Sequence, residues 1–170
     1  MPWYGLDRIP RGIGVGIFIV TKRVHPQITG KVWILNYIVT DHSGSQETFY
    51  KAAWPGVSST EKGRVIGGRK VNQQEIRVDS ITLNDLLERE GVESVDFLSM
   101  DIEGAEPQAL AGFDIQRFKP KLVCIEAMVH KRDELLKYFE SHGYRLIERY
   151  QKRDPVNWYF EPVPSEKDPG

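Results

Sequence analysis

Short apolar runs alternate with amphipathic segments through the second half of the chain. Residues 95–100 are mostly apolar and are flanked by polar residues, and residues 121–127 repeat this pattern. Runs of this length are typical of strands buried on both faces of a parallel sheet. Residues 83–87 and 131–142 instead carry leucines and aromatic residues at the spacing of one helix face. This alternation predicts a mostly parallel sheet with helices on its faces.

The remaining elements are predicted from local composition. Residues 32–39 are rich in β-branched and aromatic side chains and predict a strand, and residues 47–50 predict an extended piece that forms a hairpin with it. Residues 52–72 carry several glycines and are typical of a loop. Thr82 and Asp85 have the spacing of a capping box at a helix start. Other strands are predicted at residues 13–20, 75–78, 144–149 and 158–161. The last two are expected to pair antiparallel.

Length and charge limit the classes of protein that fit. The chain has 170 residues, which fits one domain, with residues 1–30 as an irregular lead-in, 31–161 as the core and 162–170 as a tail. Its net charge is -1 and it has no basic stripe, so nucleic acid is not expected as a partner. The apolar run at 13–20 is too short to cross a bilayer, so no membrane partner is expected. The single cysteine, Cys124, predicts a buried thiol in a reducing, cytoplasmic compartment.

Two carboxylates lie where a buried strand is expected to end and a helix to begin. Asp101 and Glu103 follow the run at 95–100, and Pro107 occupies a first helical turn, where proline is tolerated. Ligands bind at the carboxyl ends of strands in open α/β sheets, so this position is a candidate site. The alternative is structural: Asp101 caps the helix and Glu103 lies in its first turn.

Two further candidates follow the run at 121–127. If the two apolar strands are neighbours, Glu126 and His130 converge with the acids at one edge of the sheet. Carboxylates that are buried close together repel one another, and this raises the pKa of at least one of them. Such a group can take a proton near neutral pH. His130 has the alternative of a helix-cap or surface residue, and a structural role for Glu126 also stays open.

Several motifs together resemble a known family. The pieces are T-L-N-D-L at 82–86, L-S-M-D-I-E-G-A-E at 98–106, G-F at 112–113, K-P-K-L-V-C-I-E at 119–126, H-G-Y at 142–144, and, upstream, D-H-S-G at 41–44 and V-S-S-T at 57–60. They resemble the FkbM-type methyltransferases, which are class I enzymes that use S-adenosylmethionine. The resemblance covers about residues 32–161. Ser99 stands where the family usually has lysine.

The resemblance implies a Rossmann-like class I methyltransferase sheet. It is mostly parallel, ends in an antiparallel strand pair and has helices on both faces. The family's opening motif, D-x-G-A-N-x-G, is missing from the sequence. G-I-G-V-G at 12–16 is not preceded by a strand, so it does not fit a cofactor loop. The sheet is therefore expected to lack its first strands, and the run at 13–20 is a candidate to fill part of that gap. Apolar surface left by the missing strands predicts self-association into a homo-oligomer.

The resemblance also implies a reaction. It is methyl transfer from S-adenosylmethionine to a hydroxyl of a small molecule, of the sugar or polyketide kind. For this reaction we hypothesise, from the position of the residues, that Asp101 or Glu103 acts as base or orients the hydroxyl and that Glu126 and His130 line the acceptor site. In a second version Asp101 and Glu103 hold Mg²⁺, which prefers hard oxygen ligands.

The cofactor side of the resemblance is less complete. By resemblance alone, Thr40 and Asp41 contact the adenine of the cofactor. Because the glycine motif is missing, an alternative function stays open. In that alternative the chain is a truncated or non-catalytic relative that has lost the cofactor and acts as a binding or partner domain.

Overall fold

The computed structural model of the chain describes residues 16–20, 37–52, 62, 65–66, 69–70 and 72–164. The strands are β1 (Gly16–Val20), β2 (Ile38–Val39), β3 (Gln46–Ala52), β4 (Val65–Ile66), β5 (Arg69–Lys70), β6 (Gln73–Ile81), β7 (Phe97–Asp101), β8 (Leu122–Glu126), β9 (Tyr144–Leu146) and β10 (Asn157–Pro162). The helices are α1 (Leu83–Arg89), α2 (Glu106–Ala111), α3 (Ile115–Phe118), α4 (Arg132–Ser141) and α5 (Glu148–Gln151), with a 3-10 turn at Val129–Lys131. The predicted lead-in outside β1, residues 32–36, the V-S-S-T piece and the last six residues of the tail lie outside the described residues.

A five-stranded sheet in the order β1-β7-β8-β10-β9 forms the centre of the fold. Only β7 and β8 are parallel, and the other three pairs are antiparallel. The prediction of a mostly parallel sheet is therefore wrong for the described strands, whereas the antiparallel pair of β9 and β10 is confirmed. A parallel pair needs a crossover, and here α2 and α3 supply it between β7 and β8. The fold is mixed α/β.

The first strand joins the edge of this sheet. Gly16 pairs with Asp101 and Val20 with Phe97, so β1 runs antiparallel to β7 along its whole length. The predicted strand at 13–20 is thereby confirmed for its last five residues. It occupies the position beside β7, as expected of a segment that fills part of a gap in the sheet.

The hydrophobic core lies on one face of the sheet. Successive strand residues point to opposite faces, and Leu98, Met100, Val123, Ile125 and Phe160 are all buried on the same side. Buried side chains of α1, α2, α3 and α4 join them in one cluster. The ring of Tyr150 on α5 lies 5.0 Å from that of Tyr159, which belongs to the opposite face. The described helices are thus concentrated on one face, and α5 is the short helix on the other.

The strands β2, β3 and β6 form a second sheet. Its order is β2-β6-β3, with β2 parallel and β3 antiparallel to β6. The predicted hairpin between β2 and β3 is therefore wrong, because each of these strands pairs with β6 and not with the other. The backbone of Ser80 explains this result: it accepts a hydrogen bond from Gly44 N at 3.1 Å and donates one to Ser45 O at 2.8 Å. The connecting loop is thus held against β6.

Two local predictions have different outcomes. Thr82 caps α1, since its side chain accepts a hydrogen bond from Asp85 N, and Gly91 ends this helix region with a φ of 69°. The predicted strand at 144–149 is wrong in its second half, where α5 begins. None of the described helices has the length and apolar character needed to span a bilayer.

Candidate functional site

Three carboxylates meet at the carboxyl edge of the two parallel strands. Met100 pairs with Ile125 across β7 and β8, so the residues that follow them emerge at the same edge. Those residues are Asp101 and Glu126, and Glu106 reaches the same point from the first turn of α2. One oxygen of each carboxylate lies within 4.8 Å of the other two. We call Asp101, Glu106 and Glu126 the carboxylate cluster.

The loop between β7 and α2 turns sharply to bring these groups together. Glu103 has a φ of 59° and Gly104 a φ of 95°, so two successive residues adopt left-handed backbone. A Cβ on Gly104 would lie 3.3 Å from Sδ of Met128, which packs over the loop from the segment after β8. A non-glycine residue in this conformation costs free energy, and such strain is concentrated at functional sites.

Glu106 is the buried member of the cluster. Its side chain is 1% exposed, and Ile102 N donates to its Oε1 at 2.9 Å. Burial raises the pKa of Glu106, hydrogen bonds from backbone N–H groups lower it, and the charge of Asp101 raises it. The net result is a pKa above the usual value. Its carboxylate ties the strand end to the helix start and places a second acid beside Asp101.

Asp101 is the accessible member. The residue is exposed at the end of β7, yet neighbouring atoms partly enclose its carboxylate, and this desolvation raises the pKa of Asp101. A carboxylate with a raised pKa is a better proton acceptor than an ordinary surface aspartate. The cluster therefore combines an accessible carboxyl group of raised pKa with a buried one that binds the loop around it.

The predicted residues are distributed unevenly around this edge. Asp101 and Glu126 belong to the carboxylate cluster. Glu103 lies in the loop beside it but outside the group of three, and His130 is exposed in the 3-10 turn. Their roles stay predictions. Glu106 was not predicted as a site residue, although it lies three and four residues before buried Ala109 and Leu110, the spacing that places it on the inner helix face.

A metal ion would find oxygen ligands here. Asp101, Glu106 and Glu126 each offer one carboxylate oxygen in suitable proximity, and carboxylates are preferred by Mg²⁺. The predicted partner of Asp101 for this role was Glu103, which is outside the group of three. On geometry, Glu106 and Glu126 are the better placed ligands.

Thr40 and Asp41, the predicted cofactor contacts, follow β2 in the second sheet. Thr40 Oγ1 donates to Asp41 Oδ1 at 3.2 Å, and His42 Nδ1 lies 2.6 Å from the same oxygen. A Cβ on Gly112 would lie 2.4 Å from Thr40 O, so only glycine allows the end of α2 to approach this loop. The contact links the loop to the helix that carries Glu106.

The described residues form two surface depressions away from the cluster. One lies between α4 and β9 and the other between α1 and α3. Neither includes a residue of the carboxylate cluster.

The comparisons with known proteins give one match. No curated protein and no solved structure matches the chain. The family model of the methyltransferase FkbM domain matches residues 24–146. This range is more than half of the chain, and it contains the loop of Asp101, Glu106 on α2, and Glu126. The resemblance found in the sequence is thereby confirmed, and the chain belongs to the FkbM methyltransferase domain family.

Proposed function

We propose that the chain is an S-adenosylmethionine-dependent methyltransferase that methylates a hydroxyl of a small molecule at the carboxylate cluster. The family match supports methyl transfer. The observation that carries the site is the meeting of three carboxylates at the end of two parallel strands. Such an edge is where ligands bind in α/β sheets. A sugar or polyketide-like hydroxyl is the acceptor class that follows from the resemblance.

The cluster supplies what an attacking hydroxyl needs. S-adenosylmethionine supplies an activated methyl group on a positively charged sulfur. Asp101 takes the proton of the acceptor hydroxyl. The oxygen of that hydroxyl bonds to the methyl carbon, and the bond between the methyl carbon and sulfur breaks. Glu103 is the alternative base or orienting group, held close by its left-handed turn. Glu126 and His130 line the acceptor side. Much of the rate enhancement then comes from in-line positioning.

The cofactor side is assigned to Thr40 and Asp41. The hydrogen bond from His42 is the main cause that lowers the pKa of Asp41, so this exposed carboxylate is ionised at neutral pH. An ionised carboxylate accepts hydrogen bonds from the amino and hydroxyl groups of a nucleoside. The donor and acceptor chemistry of this loop therefore fits one end of S-adenosylmethionine.

A metal-assisted version uses the same residues. Mg²⁺ held by Asp101 with Glu106 and Glu126, or with Glu103, would acidify a bound hydroxyl. The two versions differ in one measurement, because chelation with EDTA abolishes transfer only if a metal is required. Activity that survives EDTA supports the version without a metal.

Two measurements test the proposal. Calorimetric titration with S-adenosylmethionine tests the cofactor, and absence of heat at millimolar concentrations supports the alternative of a partner domain. Release of S-adenosylhomocysteine with a panel of phenols and methyl glycosides then tests transfer. Asp101→Asn is expected to lower the rate about 100-fold, the usual contribution of a general base. Glu103→Gln is tested in parallel, and Asp79→Asn, an exposed carboxylate on β6, is the matched control. Full activity of both Asp101→Asn and Glu103→Gln removes these residues from the chemistry.

A further inference from the structure

The short helix α2 connects the two loops to which the proposed function assigns the reaction and the cofactor. We call residues 101–105 the reaction loop and residues 40–45 the cofactor loop. The helix begins at Glu106, directly after the reaction loop, and ends at Ala111. Gly112, the residue that follows, packs against the cofactor loop. Because six residues of α-helix span about 9 Å, α2 holds the two loops at a fixed separation.

At its first residue, α2 is hydrogen-bonded to the reaction loop. Ile102 N donates to Oε1 of Glu106 at 2.9 Å, and Glu106 is 1% exposed. Glu103 and Gly104 lie between the two bonded residues and have φ values of 59° and 95°. The hydrogen bond closes the loop across this left-handed turn. It therefore restrains the backbone that carries Asp101 and Glu103.

At its other end, α2 meets the backbone of the cofactor loop. A Cβ on Gly112 would lie 2.4 Å from Thr40 O and 3.1 Å from Asp41 Cα. The φ of Gly112 is -92°, which other residues also adopt, so glycine is needed here for space alone. Both neighbours are backbone atoms, which cannot turn aside as the tip of a side chain can. A larger residue at this position would push the helix and the cofactor loop apart.

The middle of α2 is fixed in the hydrophobic core. Ala109 is 0% exposed and Leu110 is 1% exposed, and both belong to the cluster of buried residues on the sheet. Protein interiors are close-packed and transmit strain. The helix therefore cannot slide along its axis to relieve crowding at one end, and the loops at its two ends must respond instead.

We propose that α2 sets the position of the reaction loop relative to the cofactor loop, with Glu106 and Gly112 as the positioning residues at its two ends. The inference rests on the proposed function, in which Thr40 and Asp41 contact S-adenosylmethionine and Asp101 takes the proton. Glu106 acts here through its hydrogen bond to the reaction loop, and Gly112 acts through its lack of a side chain. Methyl transfer needs in-line placement of donor and acceptor, and an error of about 1 Å can lower a rate about 100-fold.

Two variants of similar size test Glu106 in the full chain. Glu106→Gln keeps an oxygen that can accept from Ile102 N, whereas Glu106→Met fills the same buried space without an acceptor. Release of S-adenosylhomocysteine is measured with the phenols and methyl glycosides. Glu106→Met is expected to lower kcat about 100-fold and Glu106→Gln less than about tenfold, while KM for S-adenosylmethionine stays within about twofold. The amide hydrogen of Ile102 should exchange quickly in the methionine variant and slowly in the glutamine variant.

The opposite result has a distinct meaning. An equal loss of kcat in Glu106→Gln and Glu106→Met would show that Glu106 acts through its charge, as a proton carrier or a metal ligand. That result would overturn its assignment as a positioning residue.

Gly112→Ala tests the other end of the helix. It is expected to weaken calorimetric binding of S-adenosylmethionine about tenfold and to shift the amide NMR signals of Thr40 and Asp41. Gly143→Ala is the matched control. The φ of Gly143 is 76° and a Cβ there would meet nothing within 4 Å, so alanine lowers stability without crowding the cofactor loop. Wild-type affinity of Gly112→Ala, or an equal loss of affinity in Gly143→Ala, would overturn the proposal.

Failure of the proposed function gives a different pattern. A wild-type chain that gives no heat with S-adenosylmethionine overturns the proposed function, and the role of α2 with it. A wild-type chain that binds the cofactor and transfers methyl groups, with variants that behave as the wild type does, overturns only the role of α2.

Discussion

His42 makes polar contacts with three side chains of its own loop, the segment between β2 and β3 and the start of β3. Its Nδ1 lies 2.6 Å from Asp41 Oδ1, and its Nε2 lies 3.1 Å from Glu47 Oε1 and 2.9 Å from Ser45 Oγ. A protonated ring donates from both nitrogens, and each then meets a carboxylate. The hydrogen bond to Asp41 is the main cause that raises the pKa of His42, and the bond to Glu47 adds to it. The arrangement resembles a serine–histidine–aspartate triad, but Glu47 favours the protonated ring, which cannot act as a base.

This geometry predicts a pH-dependent loop. The pKa of His42 is raised above its usual 6.5, so the stabilisation by its contacts is complete below pH 6.5 and is lost as the pH rises through the raised value. NMR titration of the His42 ring is expected to give a pKa above 6.5. Asp41→Asn is expected to bring it down further than Glu47→Gln does. A His42 pKa at or below 6.5 in the wild-type chain would contradict the geometry.

Of the residues in the candidate site, the sequence predicts only the acidic residues that directly follow an apolar run. Asp101 and Glu126 end runs of alternating burial, so their place at one edge follows from the strands themselves. The role of Glu106 depends on the loop before it, because a left-handed turn at Glu103 and Gly104 swings the helix start back over Ile102. Backbone turns of this kind are not encoded in side-chain periodicity.

At the scale of elements, the start of α1 shows how a correct local prediction is completed by a distant residue. Thr82 Oγ1 accepts from Asp85 N at 3.0 Å, as a capping box requires. In a capping box the side chain of Asp85 would accept directly from Thr82 N. Here the hydroxyl of Ser43 lies between these two groups. This hydroxyl accepts from Thr82 N at 2.8 Å and donates to the carboxylate of Asp85. The box is therefore closed by the loop between β2 and β3.

Removal of the Ser43 hydroxyl should destabilise both the start of α1 and the loop between β2 and β3. Ser43→Ala leaves Thr82 N and the Asp85 carboxylate without their shared partner, and we expect the free energy of unfolding to fall by about 1 kcal/mol. Urea denaturation followed by circular dichroism measures the change. Ser141→Ala is the matched control, because that hydroxyl donates to a carbonyl of its own helix, Tyr138 O, and otherwise lies only beside the neighbouring ring of His142. An equal loss in the two variants would mean that the bridge contributes nothing specific.

Element positions were easier to predict than element pairings. The strands β7 and β8 and the helix α4 start and end within one or two residues of prediction, because burial on a sheet or a helix imposes a local period. Pairing depends on residues far apart in the chain. The hairpin after β2 was wrong because Ser80 holds that loop, and the second half of the strand predicted at 144–149 became α5, where Tyr150 packs against Tyr159.

At the scale of the whole molecule, β1 is the last of the described strands on one side of the central sheet. Among the described strands, β1 pairs with β7 on one side and has no partner on the other. An unpaired edge presents backbone N–H and C=O groups that can bind another strand. The sequence predicted self-association from missing strands, and this edge gives that proposal a specific surface: β1 of one copy against β1 of another.

Proline substitutions at adjacent positions of β1 separate this association from folding. In an antiparallel pair, successive N–H groups point alternately toward and away from the partner strand, so Phe18→Pro and Ile19→Pro remove N–H groups on opposite sides. One variant should lose a bond to β7 and unfold at a lower temperature. The other should keep more of the wild-type stability but lose self-association in sedimentation velocity. The lower unfolding temperature and the loss of self-association must occur in different variants, because a single N–H group cannot bond to strands on both sides. A wild-type chain that sediments as a strict monomer at all concentrations would contradict pairing through β1.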